Sequence, residues 1–194
     1  MCMIKFSYIN SILLVLCMSS LSATQEIILI ADPRVINIPV HENHDKLINL
    51  KEADGIKFGP SPEVKNNTDY TYVRSSVYTR LIEAQKLLPK GYKLCLYEGY
   101  RSIELQSQLF AAREKTVREA HPKWDYPKIF AETTKLVSPV FNLDGSKNVP
   151  PHSTGGAIDV YLIDDNGEPY DMGIHPKDWM TDIKGEISKT KSDL

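Results

Sequence analysis

The chain has 194 residues, of which 42% are hydrophobic and 25% are charged, and its formal net charge at pH 7 is -2. This length and this balance fit one globular domain with its own core. The near-neutral charge gives no electrostatic reason to expect binding to nucleic acid or to an anionic membrane, so we expect neither partner.

The first 23 residues are typical of a secretory signal peptide. Lys5 precedes the apolar run from Ile12 to Met18, and small residues then lead to Ala23. The run is too short for a stable membrane span, although an uncleaved anchor is the alternative interpretation. We therefore expect export, to the periplasm, of one domain over residues 24–194 with no further membrane segment. No pattern in the sequence specifies an oligomeric state.

The beginning of this domain is predicted to be largely irregular. Residues 24–40 favour an extended segment that Asp32 and Pro33 interrupt. His41 and His44 follow in a polar stretch, and we interpret both as solvated loop residues. Residues 52–72 are rich in Asp, Gly, Pro and Asn, which indicates loops and turns.

A helix followed by a buried strand is predicted next. Apolar residues recur at helical spacing from Ser75 to Leu88, and Pro89 ends the pattern. The run from Lys93 to Tyr97 then favours a strand that is buried on both faces. Cys95 lies in this run, where it is better interpreted as a small buried side chain than as a nucleophile.

The segment Tyr97 to Ser102, with the sequence YEGYRS, joins this strand to a second helix. Ser102 is a good N-cap, so Arg101 is expected at the junction with regular structure on either side. From the residues alone, the simplest interpretation of Arg101 is a surface side chain paired with Glu98 or Glu104.

The second helix is predicted to end at His121 and Pro122. A short helix over residues 128–135 and a loop over residues 138–151 follow. The mixture of strands and flanking helices predicts an α+β fold.

The stretch from Pro150 to Asp159, PPHSTGGAID, leads into the last predicted strand. Imidazole and carboxylate are both good zinc ligands. The hypothesis is that His152, on the loop, and Asp159, on the strand, face one metal ion. A surface histidine and a turn aspartate beside an ordinary strand are the alternative.

These two segments resemble those of a known family. HSTGGAID resembles the S-x-H-x-x-G-x-A-x-D signature of zinc D,D-peptidases, with Pro150 in the place of Ser. YEGYRS resembles the D-G-Y-R-P segment of D-alanyl-D-alanine dipeptidases of the VanX type, with Ser102 in the place of Pro. The resemblance implies an α+β fold with a small mixed or antiparallel sheet and flanking helices, in which Asn67 and Tyr70 line the cleft.

The same resemblance implies the chemistry. His152 and Asp159 are expected to bind one zinc ion per chain, which activates water for hydrolysis of the dipeptide D-Ala-D-Ala in cell-wall metabolism. Arg101 is expected to stabilise the anionic intermediate, a role for which a guanidinium group is suited.

The pattern departs from the family after Asp159. The family takes its third ligand, a histidine, and its general base, a glutamate, from a late Glu-x-x-His segment, and no such segment occurs from Val160 to Leu194. His175 is a weak substitute for the third ligand, with Asp171 or Asp178 as the base. We therefore expect a chain that is shortened relative to the family.

Two other functions stay open at this stage. A D,D-carboxypeptidase, which trims a longer stem peptide, shares the zinc signature. A remnant without catalysis, or a protein that only binds peptidoglycan, would keep His152 and Asp159 but lack the base.

Overall fold

The computed structural model describes residue 28 and residues 32–172. The predicted signal peptide, His175 and Asp178 lie outside this part of the chain. Within it, no helix combines the length and the apolar character that a bilayer crossing requires.

Helices and strands are mixed along the chain, as an α+β fold requires. The elements in chain order are α1 (Pro33–Ile36), β1 (Leu47–Asn49), β2 (Lys57–Phe58), β3 (Tyr72–Arg74), α2 (Ser75–Leu87), β4 (Lys93–Glu98), α3 (Ile103–Ala120), α4 (Tyr126–Thr133) and β5 (Asp159–Ile163). Two one-turn 3-10 helices, Asp69–Thr71 and Pro151–Thr154, complete the description.

The strands form two small sheets. In the three-stranded sheet β4 lies in the centre, parallel to β2 and antiparallel to β5. In the two-stranded sheet β1 and β3 are antiparallel. The prediction of an α+β fold with a small mixed sheet is confirmed. The structure also shows that the strands are divided between two sheets, which the sequence does not predict.

The core lies where α2 packs against both sheets. It is built from aliphatic side chains of β3, α2, β4 and the segment before β2: Leu50, Ile56, Val73, Leu81, Leu94 and Leu96. Burying each such side chain stabilises the fold by roughly 1.5–3 kcal/mol. This packing fixes β4, whose carboxyl end carries the segment Glu98 to Arg101.

The N-cap predicted for α3 is present. The Ser102 hydroxyl accepts a hydrogen bond of 3.2 Å from Leu105 N at the start of α3, and α3 ends at Ala120 with His121 as its C-cap. α3 packs on α4 through Phe110 and Phe130, whose ring centroids are 5.6 Å apart. The cap places the start of α3 directly after Arg101, whose backbone N–H group donates to His152 O at 3.2 Å.

One predicted extended segment is wrong over residues 33–36. There Pro33 occupies the first turn of α1, and the Asp32 carboxylate accepts a hydrogen bond of 2.8 Å from Arg34 N. A proline at the first turn and an aspartate N-cap both favour helix, and here they outweigh the pattern that indicated extended chain.

The loop after α4 is held together by hydrogen bonds between its own residues. Phe141 pairs with Lys147 around the turn that contains Gly145, and the Asn148 side-chain amide donates to Pro139 O at 2.7 Å. The loop then reaches the buried Pro150, which directly precedes the 3-10 helix that carries His152.

Candidate metal and peptide site

Two carboxylates meet where β4 ends and β5 begins. The antiparallel register places Glu98 opposite Asp159, after an irregularity in β4 between Leu96 and Glu98. The Glu98 side chain is only 1% exposed, whereas that of Asp159 is partly open to solvent. The register of these strands therefore brings together two acidic groups that are far apart in the sequence.

His152 approaches the same point from the 3-10 helix Pro151–Thr154. Its Nδ1 lies 2.9 Å from Gly99 O, and its Nε2 lies 3.4 Å from Asp159 Oδ2. A carbonyl oxygen only accepts, so Nδ1 carries the hydrogen, and a neutral ring then presents the Nε2 lone pair to a carboxylate oxygen. Two electron pairs that face each other require a proton or a metal cation between them.

The spacing of these two atoms suits a metal. Ligands at about 2.0–2.2 Å from a tetrahedral zinc ion are separated by roughly 3.3–3.6 Å. The distance of 3.4 Å between His152 Nε2 and Asp159 Oδ2 lies in that range. The hydrogen bond from Nδ1 to a backbone carbonyl is also the usual way in which a protein orients a metal-binding histidine. These donors therefore fit the metal that the resemblance implies.

The turn after His152 is held in place by Arg74 of β3. Gly155 has a φ of +70° and its carbonyl accepts from Arg74 N at 2.9 Å. The Arg74 Nε group donates to Thr154 O at 2.7 Å, and its NH1 group pairs with Glu42 at 2.7 Å. The left-handed backbone at Gly155 favours glycine, which accounts for this residue in the motif.

Arg101 is fixed by two elements. Its Nε group donates to Glu98 Oε1 at 3.0 Å, and its NH2 group donates to the other Glu98 oxygen. Its NH1 group donates to Gln106 Oε1 at 2.9 Å, and the Gln106 amide donates in turn to Ser138 O at 2.6 Å. The residues alone predict that Arg101 pairs with Glu98 or Glu104 on the surface, and the pairing with Glu98 is present. The side chain is not on the surface, however, because it is only 12% exposed and lies beside the two candidate ligands.

Glu98 itself joins His152 and Asp159 as a candidate metal ligand. One donor atom from each of the three residues lies within 4.8 Å of the others. Each carboxylate oxygen has two lone pairs, so Glu98 can accept from Arg101 and still face a cation. The sequence alone indicates Glu98 only as a partner of Arg101, although its charge at the end of an apolar strand is a signal for the site.

The electrostatics of the site favour a bound cation. Burial raises the pKa of Asp159 above its ordinary value, and the charge of Glu98 raises it further against the opposing charge of Arg101. Burial tends to lower the pKa of Arg101, but the hydrogen bond and charge of Glu98 outweigh it and the pKa is raised. A cation near these carboxylates would offset the cost of holding them ionised and partly buried.

The other residues singled out from the sequence lie away from this point or support it. Tyr70 is buried in the fold, where its hydroxyl donates to Gly59 O at 2.7 Å and its carbonyl accepts from Gly99 N at 2.7 Å. It supports the segment that carries Arg101. His41 and His44 are exposed and Cys95 is buried, as predicted.

Comparison with known proteins gives one named relative. The chain is 28% identical over 153 residues to a protein named D-alanyl-D-alanine dipeptidase from Synechocystis sp., a match that covers 70% of this chain and 60% of the relative. The matched chain thus spans less than two thirds of the length of that curated relative. No protein-family model and no solved structure matches the chain. The resemblance to D-alanyl-D-alanine dipeptidases, which the two sequence motifs predict, is confirmed by a relative that carries this name.

Proposed function

We propose that this protein is a zinc-dependent hydrolase that cleaves the dipeptide D-Ala-D-Ala. The observation that carries the proposal is the juxtaposition of His152, Asp159 and Glu98 beside a nearly buried Arg101. The name of the relative supports the choice of substrate.

The metal would be held by His152 and Asp159, with Glu98 as the third donor that the described residues offer. Imidazole nitrogen and carboxylate oxygen are both established zinc ligands. When bound, a zinc ion would polarise the peptide carbonyl and lower the pKa of water.

Arg101 would stabilise the negative charge that develops on the carbonyl oxygen of the substrate. Glu98 and Gln106 engage three of its N–H groups. Since a guanidinium group has five N–H donors, two remain for a ligand. A preorganised donor of this kind contributes about 2.7–4 kcal/mol of transition-state stabilisation in other hydrolases.

In this proposal the predicted signal peptide directs the domain over residues 24–194 to the periplasm. There the substrate would arise from cell-wall metabolism. The alternative function is a protein that binds a metal and a wall peptide without turnover. It is favoured by one observation, that both carboxylate oxygens of Glu98, the third candidate donor, already accept hydrogen bonds from Arg101.

The release of D-alanine from D-Ala-D-Ala by the zinc-supplemented protein tests the proposal. We expect turnover that a chelator removes and that zinc restores, and we expect Asp159→Ala to abolish it because the variant lacks a ligand. The matched control is Asp165→Ala, which changes an exposed aspartate in the turn after β5 that pairs with Lys93. A folded, zinc-loaded protein that binds the dipeptide but releases no D-alanine would establish the binding function instead.

A further inference from the structure

We infer that Glu63 is the binding site for the α-ammonium group of the substrate, and hence the residue that selects a free dipeptide. This inference rests on the proposed function, because it concerns the peptide that this site would cleave. It would decide between the dipeptidase and the D,D-carboxypeptidase, which acts on a longer chain without a free ammonium group at this position.

Glu63 lies in the loop after β2, at the edge of the candidate site. Its Oε1 is 3.6 Å from Arg101 NH2, and its side chain is 32% exposed. This separation exceeds that of a direct hydrogen bond. In the part of the chain that the structure describes, Glu63 has no other ion pair or hydrogen bond, so its carboxylate is open to a ligand.

Glu63 is not required to neutralise Arg101. Glu98 already accepts two hydrogen bonds from the guanidinium group and is almost fully buried beside it. Glu63 is therefore an additional carboxylate, placed near two others. Burial raises its pKa, and the negative charges of Glu98 and Asp159 add to this effect. A cationic group of the ligand would stabilise the ionised form of Glu63.

The chemistry of a dipeptide matches the positions of Glu63 and Arg101. The α-ammonium group and the scissile carbonyl oxygen belong to the same residue of the substrate, and only the Cα and the carbonyl carbon separate them. A residue that binds the ammonium group must therefore be a neighbour of the residue that stabilises the oxygen. The distance of 3.6 Å between the Glu63 and Arg101 side chains satisfies this requirement.

A longer peptide lacks the interaction. In a stem peptide the corresponding nitrogen is a neutral amide with a single hydrogen, so it offers Glu63 no positive charge. Hydrogen bonds to charged groups contribute about 1.5–3 kcal/mol, which corresponds to roughly a 10- to 100-fold preference.

The inference is tested with two substrates that differ only at the amino terminus, D-Ala-D-Ala and N-acetyl-D-Ala-D-Ala. We expect the wild-type protein to show the higher kcat/KM on the free dipeptide. Glu63→Gln should lower kcat/KM on the free dipeptide roughly 10- to 100-fold, mainly through KM, and leave the acetylated peptide within about twofold. Glu104→Gln, which removes an exposed glutamate in the first turn of α3, is the matched control and should behave as wild type on both.

Equal losses on both peptides would overturn the inference, because they would show that Glu63 only positions Arg101. If wild-type protein hydrolyses neither peptide, the proposed function fails, and calorimetric binding of the same two peptides decides the inference. Tighter binding of the free dipeptide that is lost in Glu63→Gln would support it. Equal affinities, or no binding of either peptide, would overturn it.

Discussion

At the scale of single residues, Arg101 is fixed before any substrate arrives. Glu98 on β4 and Gln106 on α3 hold its guanidinium group from two sides, and the Gln106 amide is itself bonded to Ser138 O. Because folding already orders the Arg101 side chain, substrate binding costs little further side-chain entropy. The same contacts satisfy Glu98, whose charge would be costly at 1% exposure without a partner.

A lysine at position 101 should separate the role of Arg101 in turnover from the integrity of the metal site. Lysine keeps the positive charge but cannot form the paired hydrogen bonds of a guanidinium group. For Arg101→Lys we expect kcat to fall by about 100-fold or more while the zinc content per chain stays at the wild-type value.

The two measurements are kinetics with D-Ala-D-Ala and metal analysis of the purified variant, with a thermal melt to establish that it is folded. Arg101→Ala should lower kcat at least as far, but it also leaves the buried Glu98 unpaired, so its melting temperature should fall further. Loss of zinc from folded Arg101→Lys would show that the role assigned to Arg101 is wrong.

Some residues of the candidate site are indicated by the sequence and others are not, for a physical reason. His152, Asp159 and Arg101 stand in local motifs whose residue types indicate their chemistry. Glu98 meets Asp159 only through the antiparallel register of β4 and β5, and Glu63 reaches Arg101 only through the path of a loop. Neither contact is visible in a local pattern, although the charge of Glu98 at the end of an apolar strand is itself a signal.

At the scale of elements, length decided what could be predicted. The long helices α2 and α3 and the buried strand β4 carry enough apolar residues to show a period. The strands β1, β2 and β3 have only two or three residues each and give no such pattern. These short strands are defined by hydrogen bonds to other strands. Such pairing cannot be inferred from a pattern within two or three residues.

The start of α2 depends on a residue from another segment. Its N-cap position, Arg74, makes no side-chain capping bond. Asp45, in the loop before β1, takes over this function: its carboxylate accepts from the Ser75 hydroxyl, and from Ser76 N at 2.9 Å. These hydrogen bonds lower the pKa of Asp45 from 3.8 to about 2, against a small opposing effect of burial.

Replacing Asp45 by asparagine should therefore destabilise the protein in a pH-dependent manner. Because the pKa of Asp45 is lower in the folded state, the stabilisation is fully present above its unfolded value of 3.8 and is lost as the pH falls towards 2. We expect Asp45→Asn to melt below wild type at pH 6, and the difference in melting temperature to shrink between pH 4 and pH 2.

Thermal melts of both proteins across this pH range measure the effect. Asp54→Asn, at an exposed loop position, provides the comparison and should show no such trend. A difference between Asp45→Asn and wild type that is the same at pH 2 as at pH 6 would mean that the ionised carboxylate does not cap α2.

At the scale of the whole molecule, the candidate site joins segments that are distant in the chain. Glu98 ends the central strand, Asp159 begins its antiparallel neighbour, and His152 lies on a turn that Arg74 ties to the second sheet. A metal ion bound by these donors would therefore link both sheets. Since the unfolded chain does not assemble the site, metal binding should stabilise the fold.

Zinc binding by the purified protein tests the central claim most directly. After dialysis against excess zinc and removal of the unbound ion, we expect one zinc ion per wild-type chain. We also expect a higher melting temperature, since zinc at 100 times its Kd adds about 2.7 kcal/mol of stability. His152→Ala and Asp159→Ala should lose both effects, whereas His44→Ala, which changes an exposed loop histidine, should keep them. A wild-type protein that binds no zinc, or His152→Ala and Asp159→Ala variants that bind it as wild type does, would contradict the account.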